Sequence, residues 1–418
     1  MSRMTHQGTR DIPLLFAKEL TANVNRAWRD ETFIESVTPI TQDLLRFWFS
    51  DAFCDTRNFN FHEGQKQAIL NTIYLHEVMG VSSVMDMYKS TSPELLSEMD
   101  LLDLEKEKYK HPKYAIKMAT GTGKTWVLHA LLIWQFLNAK SENEPSGRYS
   151  KNFLLVAPGL IVYERLLDAF LGKEQVDGTR DFDKSDFKTF EKLFVPPAYK
   201  DIIFGFIQSN VVRKEEIGTK VTGEGLIAIT NWHLLAGEEE KTSDKSPIED
   251  PTAVIKDVLP ITPGKTAGNA LNSLDSQYLR GKEIEYLANL PDLVVFNDEA
   301  HHIHEVKRGG EIFEVQWQRS LLQISEPKKG NFIQIDFSAT PYSVTGSGQK
   351  RTRHFFPHIV VNFDLRTSIR HGLVKTIALD RRKEVATMQL DFKAIREGKD
   401  VVGLSDGQKI MLRAGLQK

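Results

Sequence analysis

Residues 118–126 read MATGTGKTW, with Gly121 and Gly123 standing just before Lys124 and Thr125. Glycines let backbone N–H groups converge on an anion, a lysine neutralises its charge, and a threonine hydroxyl can ligate a divalent cation. That set of residue types suits a nucleoside triphosphate carried with Mg2+. The pattern G-x-x-x-x-G-K-[ST] is not met in full, because Met118 stands where the first glycine belongs. Context supplies what the pattern lacks: YAIKMA enters the loop as a strand, and the apolar run VLHALLIWQFL leaves it as a buried helix. Thr120, Gly121, Thr122, Gly123, Lys124 and Thr125 are therefore the expected ATP-binding residues, with Lys124 on the β- and γ-phosphates and Thr125 on the metal. A second Gly-Lys-Thr, in PGKTAG at 263–268, lies in a Pro-rich stretch with no strand before it and no apolar helix after it, and reads as loop.

A phosphate loop needs an acidic partner at the end of a neighbouring strand. LVVFNDEAHH supplies one: four apolar residues and Asn297 lead into Asp298, placed to reach Mg2+ through water, and Glu299, placed as general base. Alone, an acidic pair after a strand is commonly a helix N-cap. Beside a phosphate loop, the catalytic reading prevails. His301, His302 and His304 with Glu305 raise the question of zinc, but no cysteine lies near and the spacing is not His-Glu-x-x-His, so a zinc site is not expected.

Those loops require strands to hold them. YAIKMA, FLLVAP, IIFGFI, LIAIT, LVVFND and FIQIDFSAT are apolar enough for strands buried on both faces of a parallel sheet, so an α/β fold is expected. Residues 1–58 form a helical extension that reads as a docking or bracing element. The nucleotide domain spans 59–370, with charged or Pro/Gly/Ser-rich insertions at about 172–200 and 237–289, and 371–418 is a connector. With 54 Lys+Arg against 56 Asp+Glu the formal net charge is -2, so any nucleic-acid surface must be a local basic stripe. The single cysteine, Cys54, excludes an intrachain disulfide, fits a reducing compartment and reads as a passive core residue. The N-terminus lacks a signal-peptide pattern and no apolar run is long enough to span a bilayer, so a cytoplasmic location without membrane contact is expected.

Taken in order, MATGTGKT, DEAHH and FSATP resemble motifs I, II and III of superfamily-two helicases and translocases, and FHEGQKQAI resembles the upstream glutamine element. LLVAPGLIVYERL is similar to motif Ia and IAITNWHLL to motif Ib. The combination is similar in particular to the Res (restriction) subunits of type III restriction enzymes, over roughly 59–418. The resemblance implies a doubly wound RecA-like P-loop domain that couples Mg-ATP hydrolysis to movement on double-stranded DNA in a phage-defence system. It places Gln65 on the adenine edge, makes His301 the link from the ATP site to motif III, and has Ser338 and Thr340 couple hydrolysis to movement. It also puts Pro158, Gly159, Thr230 and Asn231 at the nucleic-acid groove, although composition alone leaves simple strand-ending turns equally open.

In such motors a second RecA-like domain supplies arginines worth roughly 10³ to 10⁵ in rate. No Gln-x-x-Gly-Arg-x-x-Arg motif appears, and neither PDLVVF nor DLEKEK makes a credible nuclease centre. The expectation is the first half of a larger enzyme, with weak hydrolysis alone, a second RecA-like domain in cis or on another chain, and a modification or nuclease partner. An ATP-gated regulatory subunit without turnover and an RNA helicase are the alternatives.

Overall fold

The computed structural model describes residues 11–142, 147–231, 282–302, 306–308, 311–313, 316–328, 330–345, 352–375, 393, 395–397 and 400–416. Two compact units divide at residue 374. In the first, the strands are β1 (Lys113–Met118), β2 (Asn152–Ala157), β3 (Val211–Val212), β4 (Leu226–Asn231), β5 (Leu293–Asn297), β6 (Val306–Arg308), β7 (Glu311–Phe313), β8 (Phe332–Ser338), β9 (Tyr342–Thr345), β10 (Thr352–Phe355) and β11 (Ile359–Phe363). Seven of them form one wholly parallel sheet in the order β11-β1-β8-β5-β2-β4-β3. The pairs β6–β7 and β9–β10 are small antiparallel ribbons. The second unit holds an antiparallel pair, β12 (Ile395–Glu397) and β13 (Asp400–Gly403), and the helix Asp406–Leu416.

Successive side chains of a strand face opposite ways, so a sheet covered on both sides buries both sets. Phe153, Leu155, Val294, Phe296, Ile333 and Ile335 pack on one face, and Leu154, Val156, Leu293, Val295 and Trp317 on the other. The protein is an α/β domain with helices flanking a parallel sheet, the arrangement of a RecA-like P-loop fold.

Two local expectations are corrected. IIFGFI is not a strand but part of the helix Lys200–Asn210, because its buried residues Ile203, Phe206, Ile207 and Asn210 recur at intervals of three and four. Conversely, IVVNF at 359–363 is a sheet strand, hydrogen-bonded directly beside β1. Cys54 is only half-buried; its Sγ lies 3.5 Å from the Trp48 carbonyl oxygen.

The helix Ile12–Arg29 buries Ile12, Phe16, Leu20 and Val24 and packs against β11 and the helix Glu63–Ile73. Nearby, Glu77 in the π-helical turn Tyr74–Val78 accepts from the Thr41 hydroxyl (2.9 Å) and from Trp134 Nε1 (3.0 Å) on the helix that leaves the phosphate loop. A buried carboxylate so supplied with donors is satisfied, and it ties the N-terminal helices to the nucleotide domain. Part of the segment 172–200 also reaches this core, since Phe187 and Phe194 are fully buried around His129, whereas residues 174–179 are exposed. The segment 237–281, PGKTAG included, lies outside the described residues. Among the described residues no helix is long and apolar enough to cross a membrane.

Candidate active site

β1 ends at Met118, and the chain turns through 119–123 into the helix Lys124–Ser141. Gly121 (φ +82°) and Gly123 (φ +73°) take the left-handed backbone that a side chain disfavours. A Cβ on Gly123 would in addition stand 2.5 Å from Gln65 Nε2. The Ala119 N–H donates to the Phe363 carbonyl of β11 (3.1 Å), and the Thr122 hydroxyl to the Ala119 carbonyl (2.6 Å). Thr122 thus turns its hydroxyl inward, whereas Thr120 and Gly121 are exposed at the crown of the loop and Thr125 is half-buried in the first helical turn.

The parallel register brings the acidic element to the same sheet edge. The Asp298 N–H donates to the Val156 carbonyl of β2 (2.9 Å), and the Glu299 N–H to Asp298 Oδ1 (3.0 Å). Glu299 has φ +48°, a left-handed conformation costing on the order of 1–3 kcal/mol that persists only where the surroundings impose it. Its Oε1 accepts from Lys124 Nζ at 2.7 Å, the lysine being 10% exposed, and its Oε2 lies 3.5 Å from His301 Nδ1. The same Nδ1 is 3.0 Å from Ser338 Oγ at the end of β8, and that oxygen accepts from the Thr340 N–H (3.0 Å). Lys124, Glu299, His301, Ser338 and Thr340 therefore form one connected chain across β1, β5 and β8. His304 and Glu305 lie outside the described residues.

Burial pushes the Asp298 carboxyl up to about 6, with neighbouring Glu299 adding to the rise and Lys124 opposing it. A carboxyl whose pKa is higher folded than unfolded holds its proton preferentially in the folded state. Its contribution to stability is full below about 3.8, is lost as pH rises through about 6, and stays lost above. Asp298→Asn is therefore expected to stabilise the metal-free, nucleotide-free protein by roughly 1–3 kcal/mol at pH 7.5, the difference vanishing towards pH 4. Thermal unfolding of both proteins across that range checks it; a variant no more stable at pH 7.5 would sink the argument.

Sequence patterns missed two groups. His62, the N-cap of the helix Glu63–Ile73, contacts the phosphate loop: its Nε2 is 2.8 Å from the Thr122 carbonyl oxygen. Gln65 Nε2 donates to the Gly123 carbonyl (3.0 Å) while its Oε1 accepts from the His62 N–H (3.1 Å), so the amide braces the loop with one of its two N–H groups and one of its two lone pairs. The helix comes so close that a Cβ on Gly64 would stand 2.5 Å from the Phe363 ring. Beneath the site, Asp336 accepts from Asn297 Nδ2 (2.7 Å) and Gln334 Nε2 (2.9 Å) and pairs with His358 Nε2 (2.9 Å). Asn297 and Asp336 are register partners, so this buried contact fixes β5 against β8 one residue before Asp298. Polar residues in a strand buried on both faces, as in FIQIDF, were the signal that such a network exists.

The nucleic-acid expectations divide. Pro158 and Gly159 are half-exposed on the turn after β2, at the start of the helix Leu160–Leu171, whose first residues Leu160 and Ile161 are each 51% exposed. Thr230 and Asn231, by contrast, are the last residues of β4 itself and are 1% and 3% exposed. They are sheet residues and not a strand-ending loop; the rest of that motif, from 232 on, lies outside the described residues.

The hard oxygen donors of Thr125 and Asp298 are of the kind Mg2+ takes, and Lys124 is of the kind that binds phosphate. No curated protein matches the chain. Residues 58–343, well over half of it, match the family described as type III restriction enzyme, res subunit, a span that includes the phosphate loop, the acidic pair and Ser338–Thr340. The chain belongs to that family, and residues 58–343 are its superfamily-two helicase-like ATP-binding domain.

Proposed function

We propose that this domain hydrolyses ATP and couples the reaction to movement along double-stranded DNA, as part of a type III restriction-like phage-defence system in the cytoplasm. The observation that carries this reading is the contact chain from Lys124 through Glu299 and His301 to Ser338, because it joins the phosphate loop to the strand that would transmit movement. Lys124 shifts from Glu299 to the β- and γ-phosphates when ATP binds, which frees the Glu299 carboxylate to take the proton of the water attacking the γ-phosphorus. Thr125 and, through water, Asp298 would hold Mg2+, which would neutralise charge on the phosphates. His301 senses the change at Glu299 and passes it to Ser338 and Thr340. Gln65 offers its remaining N–H and lone pair to the adenine edge, and the turn at Pro158 and Gly159 faces the phosphodiester backbone.

Arginines from a second RecA-like domain, in cis or on another chain, complete the site, and a modification or nuclease subunit supplies sequence choice or cleavage. This chain alone should accordingly turn over slowly, with double-stranded DNA accelerating it. The test is Mg-dependent ATP hydrolysis with no nucleic acid, with double-stranded DNA and with double-stranded RNA. Stimulation by RNA alone favours an RNA helicase; ATP binding with no hydrolysis under any condition favours a regulatory subunit.

A further inference from the structure

A trans peptide sets each C=O antiparallel to the N–H of the following residue. Whatever pins the carbonyls of Thr122 and Gly123 therefore also fixes where the N–H groups of Gly123 and Lys124 point. One helical turn grips both carbonyls, Thr122 O by His62 Nε2 (2.8 Å) and Gly123 O by Gln65 Nε2 (3.0 Å), the latter oxygen also accepting from the Trp126 N–H of its own helix (3.0 Å). The turn is itself rigid. The Gly64 N–H donates to His62 Nδ1 (3.1 Å), the His62 N–H donates to Gln65 Oε1 (3.1 Å), and the His62 ring leans on Phe363 with centroids 5.2 Å apart. Because Nδ1 accepts, the single proton of the neutral ring sits on Nε2 and is donated to Thr122.

We propose that His62 is a positioning residue for the phosphate loop: with Gln65 it holds two successive carbonyls back, and so aims the N–H groups of Gly123 and Lys124 at the phosphates of the nucleotide. The inference rests on the reading of this loop as an ATP site. Protonation of the ring would turn Nδ1 from acceptor to donor and break the cap, and burial holds the ring below the ordinary imidazole range, which keeps it neutral at pH 7.

The two ring nitrogens can be removed separately. Asparagine at 62 places an oxygen near Nδ1 and keeps the helix cap, but cannot reach Thr122. Glutamine places an N–H near Nε2 and keeps the clamp, but loses the cap. For Mg2+ with a non-hydrolysable β,γ-imido ATP analogue, calorimetry should show His62→Asn weakening affinity about 5- to 10-fold while its thermal midpoint falls no further than that of His62→Gln, since both lose the ring contact with Phe363. His62→Gln should hold affinity within about twofold while its midpoint falls by about 2–4 °C. That crossed pattern is one a purely structural role cannot produce. Equal affinity in His62→Asn and wild type, or equal losses in the two variants, overturns the assignment. A wild-type chain that fails to bind the analogue overturns the ATP reading and the clamp with it.

Discussion

Lys124→Ala is expected to abolish measurable ATP hydrolysis and to weaken Mg-ATP analogue binding by about 10- to 150-fold, the worth of a charge-assisted hydrogen bond of roughly 1.5–3 kcal/mol. The chemical step should lose more than the binding step. As charge develops on the transferring phosphoryl group, a cation held in a water-poor site contributes a further ~3–4 kcal/mol, so kcat/KM should fall about 10³- to 10⁵-fold in all. Deleting the ammonium also leaves Glu299 beside Asp298 with no lysine between them and the solvent, 2.7 Å being the present distance from Lys124 Nζ to Glu299. Lys124 is the neighbour that opposes the rise of the Asp298 pKa, so its loss moves that group further up and weakens metal binding near neutrality. Hydrolysis and calorimetry on the folded variant check this; turnover within tenfold of wild type would place the phosphates elsewhere.

The parts of this molecule that could be read from its residues are those where one physical signal dominates. Strands buried on both faces must be largely apolar, and FLLVAP, LIAIT and LVVFND are, while FIQIDFSAT keeps the apolar run around a hydrogen-bonded Gln334 and Asp336. The same rule misread IIFGFI, since a short run of large apolar residues looks alike in a strand and on the packed side of a helix. Only the positions of Ile203, Phe206 and Ile207 separate the two. The phosphate loop and acidic pair announce themselves because glycine, lysine and carboxylate types are chemically constrained there. Their pairing does not: Lys124 and Glu299 are 175 residues apart, and only the sheet order β1-β8-β5 brings them within reach. His62 was hidden for a different reason. A histidine accepting at one nitrogen and donating at the other is a geometric role with no sequence pattern of its own, and FHEGQ drew notice only for its glutamine. Thr230 already belonged to the run LIAIT, and the strand extends one residue past it to Asn231, so both side chains are buried in β4, a placement that only the exact strand end could decide.

Glu299→Gln separates binding from chemistry at the same site. The substitution keeps size and shape, and with them a side-chain oxygen to face Lys124 Nζ, but the amide cannot take a proton from water. Removal of a positioned general base costs about 10²- to 10⁴-fold, so kcat should fall by that factor. Binding should not fall with it. Lys124 no longer has to leave a carboxylate to meet the phosphates, and Asp298 loses the negative neighbour that raises its pKa, so Mg2+ meets less competition from protons. The variant should therefore bind Mg-ATP as tightly as wild type or several-fold more so, with the acid limb of binding shifted to lower pH. His301 faces an uncharged neighbour across the 3.5 Å contact, so the variant should also hold the ATP-bound arrangement of the His301–Ser338 contact without turnover. Rapid-quench measurement of the chemical step beside equilibrium binding over pH 5–8 tests the whole argument. A variant that loses affinity in proportion to rate would make Glu299 a structural partner of Lys124, and the base would have to be sought among the other groups that face the phosphate loop.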